Sequence, residues 1–308
     1  MNSKRIGLLL AWAKLMLRLA GSTLIWFAFT ANAAGAPPDE AQASRLRLIY
    51  ASMAPRLEQN QFNRPLVLDS IEGNDQLKGD IYAVMNFPLI KLKTALSDPA
   101  QWCEVMILHF NTKYCRANTK GVQPVLRINI GKKTPQTLAD SEAIEFKFSV
   151  LAATPEYFDI ALAAQQGPLG SSDYRIIVRA VSLQGDKTFV QLTYSYSVGW
   201  AGRAAMRAYL ATLGSGKVGF TVEGRDGNGQ IEYVGGVRGV IERNTMRYFL
   251  AIESYMDSIA APTNSQFEMR LHSWFSASEK YPRQLHEMSW DQYREMKFAE
   301  HARMLKDQ

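Results

Sequence analysis

The run KTFVQLTYSYSV, residues 187–198, alternates strictly: Phe189, Gln191, Thr193, Ser195 and Ser197 fall on one face, and Val190, Leu192, Tyr194, Tyr196 and Val198 on the other. Such a period of two belongs to a β-strand and to no helix. It closes a series of strand-like runs, LHFNTKYCRA, PVLRINIG, AIEFKFSVLAA, EYFDIALAA and DYRIIVRAVSL, separated by turn residues, with a tight QGD link before the last. Short links between successive strands demand an antiparallel meander.

Helical patterns bracket the meander. Upstream, KGDIYAVMNF carries a strand at Asp80 to Val84. PLIKLKTALSD follows with a buried stripe of Leu89, Leu92, Ala95 and Leu96, and PAQWCEVMI begins at Pro99, a residue suited to a first helical turn. Downstream, residues 201–213 read as a helix ending at the C-cap Gly214, and RDGNG joins two short strands as a hairpin. VRGVIERNTMRYFLAIESYMDSI, closed by Pro262, is the longest helical pattern after the leader. Its apolar positions, among them Ile241, Tyr248, Ile252, Tyr255 and Ile259 with Met246, Phe249, Leu250 and Met256, make an arc too wide for a helix covered on one side. Glycines 235, 236 and 239 suit a close approach at its start; no P-loop or dinucleotide fingerprint accompanies them.

This order, and in particular GDIYAVMNFPLIKLKTALSDPAQWCEVM with its Asp98-Pro99-x-x-Trp102 step and the closing GVIERNTMRYFLAIESYMD, resembles the START-like, or SRPBCC, superfamily over about Lys78 to Ser258. The resemblance implies an α+β helix-grip fold: a curved antiparallel sheet around a long C-terminal helix, with an inserted helix and an extra helical tail in this chain. In that family a cavity between sheet and helix holds lipids, polyketides or other apolar small molecules. The resulting division is a signal peptide at 1–33, an N-terminal lead-in at 34–76 that packs outside, a START-like domain at 77–260 and a C-terminal helical extension at 261–308.

The leader reading rests on Lys4, Arg5, Lys14 and Arg18 ahead of the uncharged run from Leu19 to Thr30, and on Ala31 and Ala33 at the small-residue positions, which put cleavage between Ala33 and Ala34. The uncharged run is shorter than the ~20 residues of a spanning helix. Export to a periplasm removes four cations, so the formal charge of +6 falls to +2, and with both signs interspersed a nucleic-acid partner is set aside. Export also favours a disulfide between Cys103 and Cys115, the two cysteines of the chain, over two free buried thiols.

The chemistry-bearing residues are few. A zinc or Cys-His nucleophilic site at Cys103, His109 and Cys115 lacks a second ligand pair and a free thiolate, and His109 reads as a strand residue. His272, His286 and His301 read as solvated tail residues. No catalytic residue, metal or cofactor is assigned. The candidate ligand-binding residues are Asn244, Arg247, Tyr248, Ile252 and Tyr255 on the closing helix, with Tyr194 and Tyr196 on the last strand. Asn244 and Arg247, three apart, share a face and could present donors to a ligand; pairing of Arg247 with a carboxylate of the tail or of the RDGNG hairpin is the other reading. Arg203 and Arg207, four apart, could likewise meet an anion. The expected function is binding of an apolar, lipid-like small molecule, with transport in view and transient membrane or envelope-protein contact. The rivals are a cyclase- or hydrolase-type enzyme and an interaction protein docking through Trp274, Phe275, Tyr281, Trp290 and Tyr293.

Overall fold

The computed structural model describes residues 38–211 and 216–306. The leader, its cleavage site and the Gly214 cap lie outside them. The elements in chain order are α1 (Pro38–Glu58), β1 (Leu66–Glu72), β2 (Gln76–Met85), α2 (Leu89–Leu96), α3 (Pro99–Met106), β3 (Thr112–Asn118), β4 (Val125–Ile130), β5 (Glu142–Ala153), β6 (Tyr157–Gln166), β7 (Ser171–Leu183), β8 (Lys187–Val198), α4 (Trp200–Ala211), β9 (Val222–Arg225), β10 (Ile231–Tyr233), α5 (Gly236–Ser258), α6 (Thr263–Glu279), α7 (Pro282–Leu285) and α8 (Trp290–Lys306).

The alternating run that constrained the fold is β8, and it lies inside an eight-stranded sheet of order β1-β2-β8-β7-β6-β5-β4-β3. All its pairings are antiparallel. The meander from β3 to β8 thus runs back across the sheet until β8 meets β2, the strand before the helices. That closure leaves one face of the sheet to receive α5. Val190, Leu192, Tyr194 and Tyr196 point into the core shared with Ile241, Tyr248 and Ile252 of α5. The opposite face of β8 is also covered, because α1 lays Ala43, Leu46, Met53 and Leu57 against Phe189, Val181 and Val67. Helix α1 of the lead-in therefore packs outside the sheet, with ion pairs of Arg47 to Glu156 and Arg56 to Asp69, both at 2.5 Å.

One segment departs from the expectation. Residues 58–76 of the lead-in, expected to pack outside the sheet, instead contain its edge strand β1, whose Leu66-Val67-Leu68 is buried before the strand turns polar. A run of three apolar residues shows no alternation to recognise, and its pairing with β2 is a long-range decision. The Asp69 and Glu72 side chains suit an edge strand that must not pair further.

The helices begin where their chemistry permits. Asp98 caps α3, accepting the Ala100 amide at 2.8 Å, and Pro99 occupies the first turn. Trp102 is buried and donates its indole N–H to the Leu96 carbonyl at 2.9 Å, tying α3 to the end of α2. Cys103 and Cys115 form a disulfide that joins α3 to β3. Closing a loop of 12 residues restricts the unfolded chain enough to contribute about 3 kcal/mol. Unfolded protein without reductant should show no free thiol in a dithionitrobenzoate assay, and the Cys103→Ser/Cys115→Ser double variant should lose about that stability.

Helix α5 has 23 residues and buries residues on every side, which accounts for its wide apolar arc. It approaches β2 so closely at Gly79 that a Cβ there would stand 2.2 Å from Thr245 Oγ1 and 3.1 Å from Thr245 Cβ. Thr245 cannot swing away freely, since it is β-branched and donates its hydroxyl to the Ile241 carbonyl at 2.7 Å. Gly79→Ala should therefore destabilise by about 1–3 kcal/mol in urea titrations, and Thr245→Ala in the same chain should restore part of the loss. Gly239 makes a second close passage, against the backbone of Gly219 and Val234, a partner loop beside β10 rather than a strand of the large sheet.

The C-terminal extension belongs to the same compact unit as the sheet. Trp274 and Tyr293 are fully buried and pack edge-on against Phe110, at centroid distances of 5.0 and 5.1 Å. Pro282 opens the single turn α7, which divides the extension between α6 and α8.

Candidate functional site

The inner face of β7 and β8 and the facing side of α5 assemble a cluster of aromatic rings. Tyr174 and Tyr196, on neighbouring strands, stack at 5.1 Å with planes 11° apart. Tyr196 meets Tyr194 at 5.6 Å, Tyr194 meets Tyr248 edge-on at 5.0 Å, and Tyr248 lies 5.3 Å from the His109 ring. The spacing follows from local rules: Tyr174 lies on the inner face of β7, Tyr194 and Tyr196 are two apart on one strand face, and Tyr248 is one helical turn from Asn244.

The hydroxyls of Tyr194, Tyr196 and Tyr248 make no hydrogen bond among the described residues, and none of them is a sealed-in oxygen. The three residues keep 5 %, 4 % and 9 % of their surface accessible. Burial, reinforced by the neighbouring tyrosines, pushes the phenols of Tyr194 and Tyr248 above their ordinary value, so they are neutral donors at any physiological pH. Tyr174 alone is partnered, with Ser171 at 2.8 Å.

His109 completes the cluster and corrects its expected place on a strand. It sits in the turn between α3 and β3, buried, where its Nδ1 accepts the Asn111 amide at 3.2 Å. Burial, then the positive charges of Arg247, Lys297 and Lys133, holds the imidazole well below its ordinary pKa, so it is neutral. With Nδ1 accepting, the proton resides on Nε2, and that buried N–H has no partner. Asn244 lies beside the ring. The site thus offers three O–H donors and one N–H donor among aromatic faces.

The other candidates go elsewhere. Arg247 turns away from the sheet: its guanidinium is 2 % exposed and donates to Glu287 at 2.6 Å in the α7–α8 link, with Asn244 Oδ1 at 3.4 Å. It is a structural ion pair, so Asn244 and Arg247 do not form a head-group clamp. Ile252 is plain core. Tyr255 lies two turns beyond Tyr248, where its hydroxyl bonds Gln101 and Arg270 stacks over its ring at 4.7 Å. It edges a separate apolar groove of about 600 Å³ formed with Phe87, Ile90, Ala95, Met256 and Ile259. The cluster therefore retains Asn244, Tyr248, Tyr194 and Tyr196 and gains His109 and Tyr174.

Two readings of the tail are also corrected. Its aromatic residues close on the protein's own core, with Phe275, Trp290 and Tyr293 packed together, so they are not a free docking surface. His301 is not solvated: it stacks on Phe267 at 3.7 Å and meets Glu104 at 3.2 Å. Among the described residues no group of three or more metal-ligating side chains occurs.

The class is set by these elements: a strand, two short helices, an antiparallel meander that returns to the first strand, and a long helix laid across the sheet, which is the START-like helix-grip fold. No protein-family profile matches the chain, and no curated protein does. Solved structures do. A conserved protein from Geobacillus kaustophilus aligns at 12 % identity, over 59 % of this chain and 95 % of its own, with a TM-score of 0.34. Human StAR-related lipid transfer protein 5 aligns at 9 %, over 56 % and 90 %, with a TM-score of 0.30. The Zhui aromatase/cyclase from Streptomyces sp. R1128 aligns at 10 %, over 67 % and 94 %, with a TM-score of 0.31.

Proposed function

We propose that the protein binds an apolar small molecule between its sheet and α5, with a hydrogen-bond acceptor of that molecule placed against the tyrosine cluster, and that it does so without chemical turnover. The observation that carries this reading is the set of Tyr194, Tyr196 and Tyr248 hydroxyls, which make no hydrogen bond among the described residues, stay accessible, and are set among the apolar residues of the core. A hydrogen bond from one of these hydroxyls to a ligand acceptor in such apolar surroundings contributes about 0.5–1.5 kcal/mol net. A carbonyl, ether or hydroxyl oxygen on a lipid-like body meets the requirement. A carboxylate is matched less well, because Arg247, a buried cation that acts on both Tyr248 and His109, is already paired with Glu287.

The absence of turnover is argued from the same groups. The cluster holds neutral phenols and a neutral imidazole, and among the described residues no carboxylate is hydrogen-bonded to Tyr194, Tyr196, Tyr248 or His109 to act as base. Titration of an environment-sensitive apolar fluorophore tests the site. Tyr194→Phe and Tyr248→Phe keep the rings and remove the donors, and each should weaken an acceptor-bearing probe about five- to tenfold while leaving a pure hydrocarbon probe unchanged. Equal loss for both probes, or for neither, would contradict the assignment.

A further inference from the structure

A second site lies where the β1–β2 turn meets α4 and the first turn of α5. A pocket of about 660 Å³ opens there, and three arginines line it, Arg203 and Arg207 from α4 and Arg238 from α5. The wall opposite them is the turn itself, with Glu72, Gly73 and Asn74. Neighbouring guanidinium groups repel one another, and three of them in one small pocket need an anion to balance them. The protein supplies only part of it. Glu72 accepts from Arg203 at 3.1 Å and stands 3.6 Å from Arg207. The buried Glu242 is 3.8 Å from Arg238, but its oxygens are already taken by the amides of Phe220 and Thr221 and the hydroxyls of Thr221 and Ser70.

The arginines are positioned rather than loose. Arg203 is 11 % exposed, donates to the Gly73 carbonyl at 2.9 Å, and keeps a buried Nε that no group among the described residues accepts. Arg238 donates its Nε to Ser70 at 2.8 Å. Arg207 is 68 % exposed at the mouth. Held guanidinium forks of this kind match the planar and tetrahedral oxygens of phosphate. Trp200, at the start of α4 and 85 % exposed, stands beside this end of the molecule, since the Val198 amide bonds the Asp75 carbonyl.

We propose that this pocket binds a phosphate group, carried by a phospholipid headgroup or free in solution. The site does not rest on the apolar-ligand reading, because none of its residues belongs to the tyrosine cluster. The test uses the folded chain and two probes: inorganic phosphate in calorimetry, and vesicles of phosphatidylcholine with and without phosphatidylglycerol in sedimentation. Arg207→Gln, at a side chain too exposed to hold the fold together, should weaken binding about fivefold, and Arg238→Gln at least as much. Glu72→Gln removes the competing carboxylate and should tighten binding about fivefold, a gain that a merely structural role would not produce. Arg175→Gln, at an exposed cation on the outer sheet face, should change nothing. Binding of phosphatidylglycerol vesicles without inorganic phosphate identifies the headgroup, the reverse identifies free phosphate, and binding of both identifies the phosphate group as the shared determinant. Saturable binding of neither, or equal losses in Arg175→Gln and Arg207→Gln, overturns the proposal.

Discussion

Replacing Glu287 with alanine is expected to destabilise the protein by about 3–5 kcal/mol, more than most single substitutions. The carboxylate lies in the α7–α8 link and is the common partner of three cations: Arg247 at 2.6 Å, Lys133 at 2.5 Å and Lys217 at 3.0 Å. Without it the guanidinium of Arg247 is left charged, 2 % exposed and unable to reach water. Urea unfolding at neutral pH measures the loss. Acid makes the same point without mutation. Burial alone would raise the Glu287 carboxyl, but Arg247 and Lys133 outweigh it and hold the group down at about 2, against an ordinary 4.5. A depressed carboxyl stabilises the fold fully above about pH 4.5, and that contribution, about 3 kcal/mol, disappears as pH falls toward 2. The wild-type protein should lose it across that window, and Glu287→Gln should be flat across the same window as far as this group is concerned.

The second large effect is expected at Glu300. Lys113 and Lys297 are both fully buried and share this one carboxylate, at 2.9 and 2.7 Å. Their remaining protons go to backbone carbonyls: Phe110 and Thr134 for Lys113, His109 and Thr112 for Lys297. Burial pulls Lys297 down to about 8. Glu300→Leu leaves two ammonium groups in the core with no counter-charge and should cost about 3–5 kcal/mol. Replacing the whole triad, Lys113→Met, Lys297→Met and Glu300→Leu, should recover most of that loss in the same unfolding assay, because a buried ion cluster earns little over well-packed apolar residues. Failure of the triple variant to recover would mean that the lysines matter for anchoring the 109–112 turn rather than for balancing charge.

Both effects involve the tail, and the tail is where sequence was least informative. Periodicity found β8, β7 and α5, because each element carries its own pattern, and Asp98-Pro99 marked the start of α3 by local capping chemistry alone. Long-range pairing wrote no such mark. Lys297 looks like any charged residue of a solvated helix, yet it lies under the turn that positions His109, bonding the His109 carbonyl at 2.6 Å. Arg247 was equally ambiguous at three residues from Asn244 until Glu287 claimed it. In the cluster itself, Tyr194, Tyr196 and Tyr248 were legible from strand alternation and helical spacing. Tyr174 shares the inward face with Ile176 but lies in the irregular stretch of β7 between Ser172 and Arg175, where it has no β8 partner, so neither alternation nor register marks it. His109 is equally unmarked, since its place depends on a turn fixed by residues nearly two hundred positions away.

The tyrosine cluster is proposed to hold an apolar molecule. Native mass spectrometry of the protein purified without detergent from its own cells, followed by solvent extraction of the same sample, tests it directly. The expected result is a bound apolar species that carries a carbonyl, ether or hydroxyl oxygen and that is depleted in the Tyr194→Phe/Tyr248→Phe double variant. A ligand-free mass for the wild-type protein, with no extractable apolar species, would contradict it.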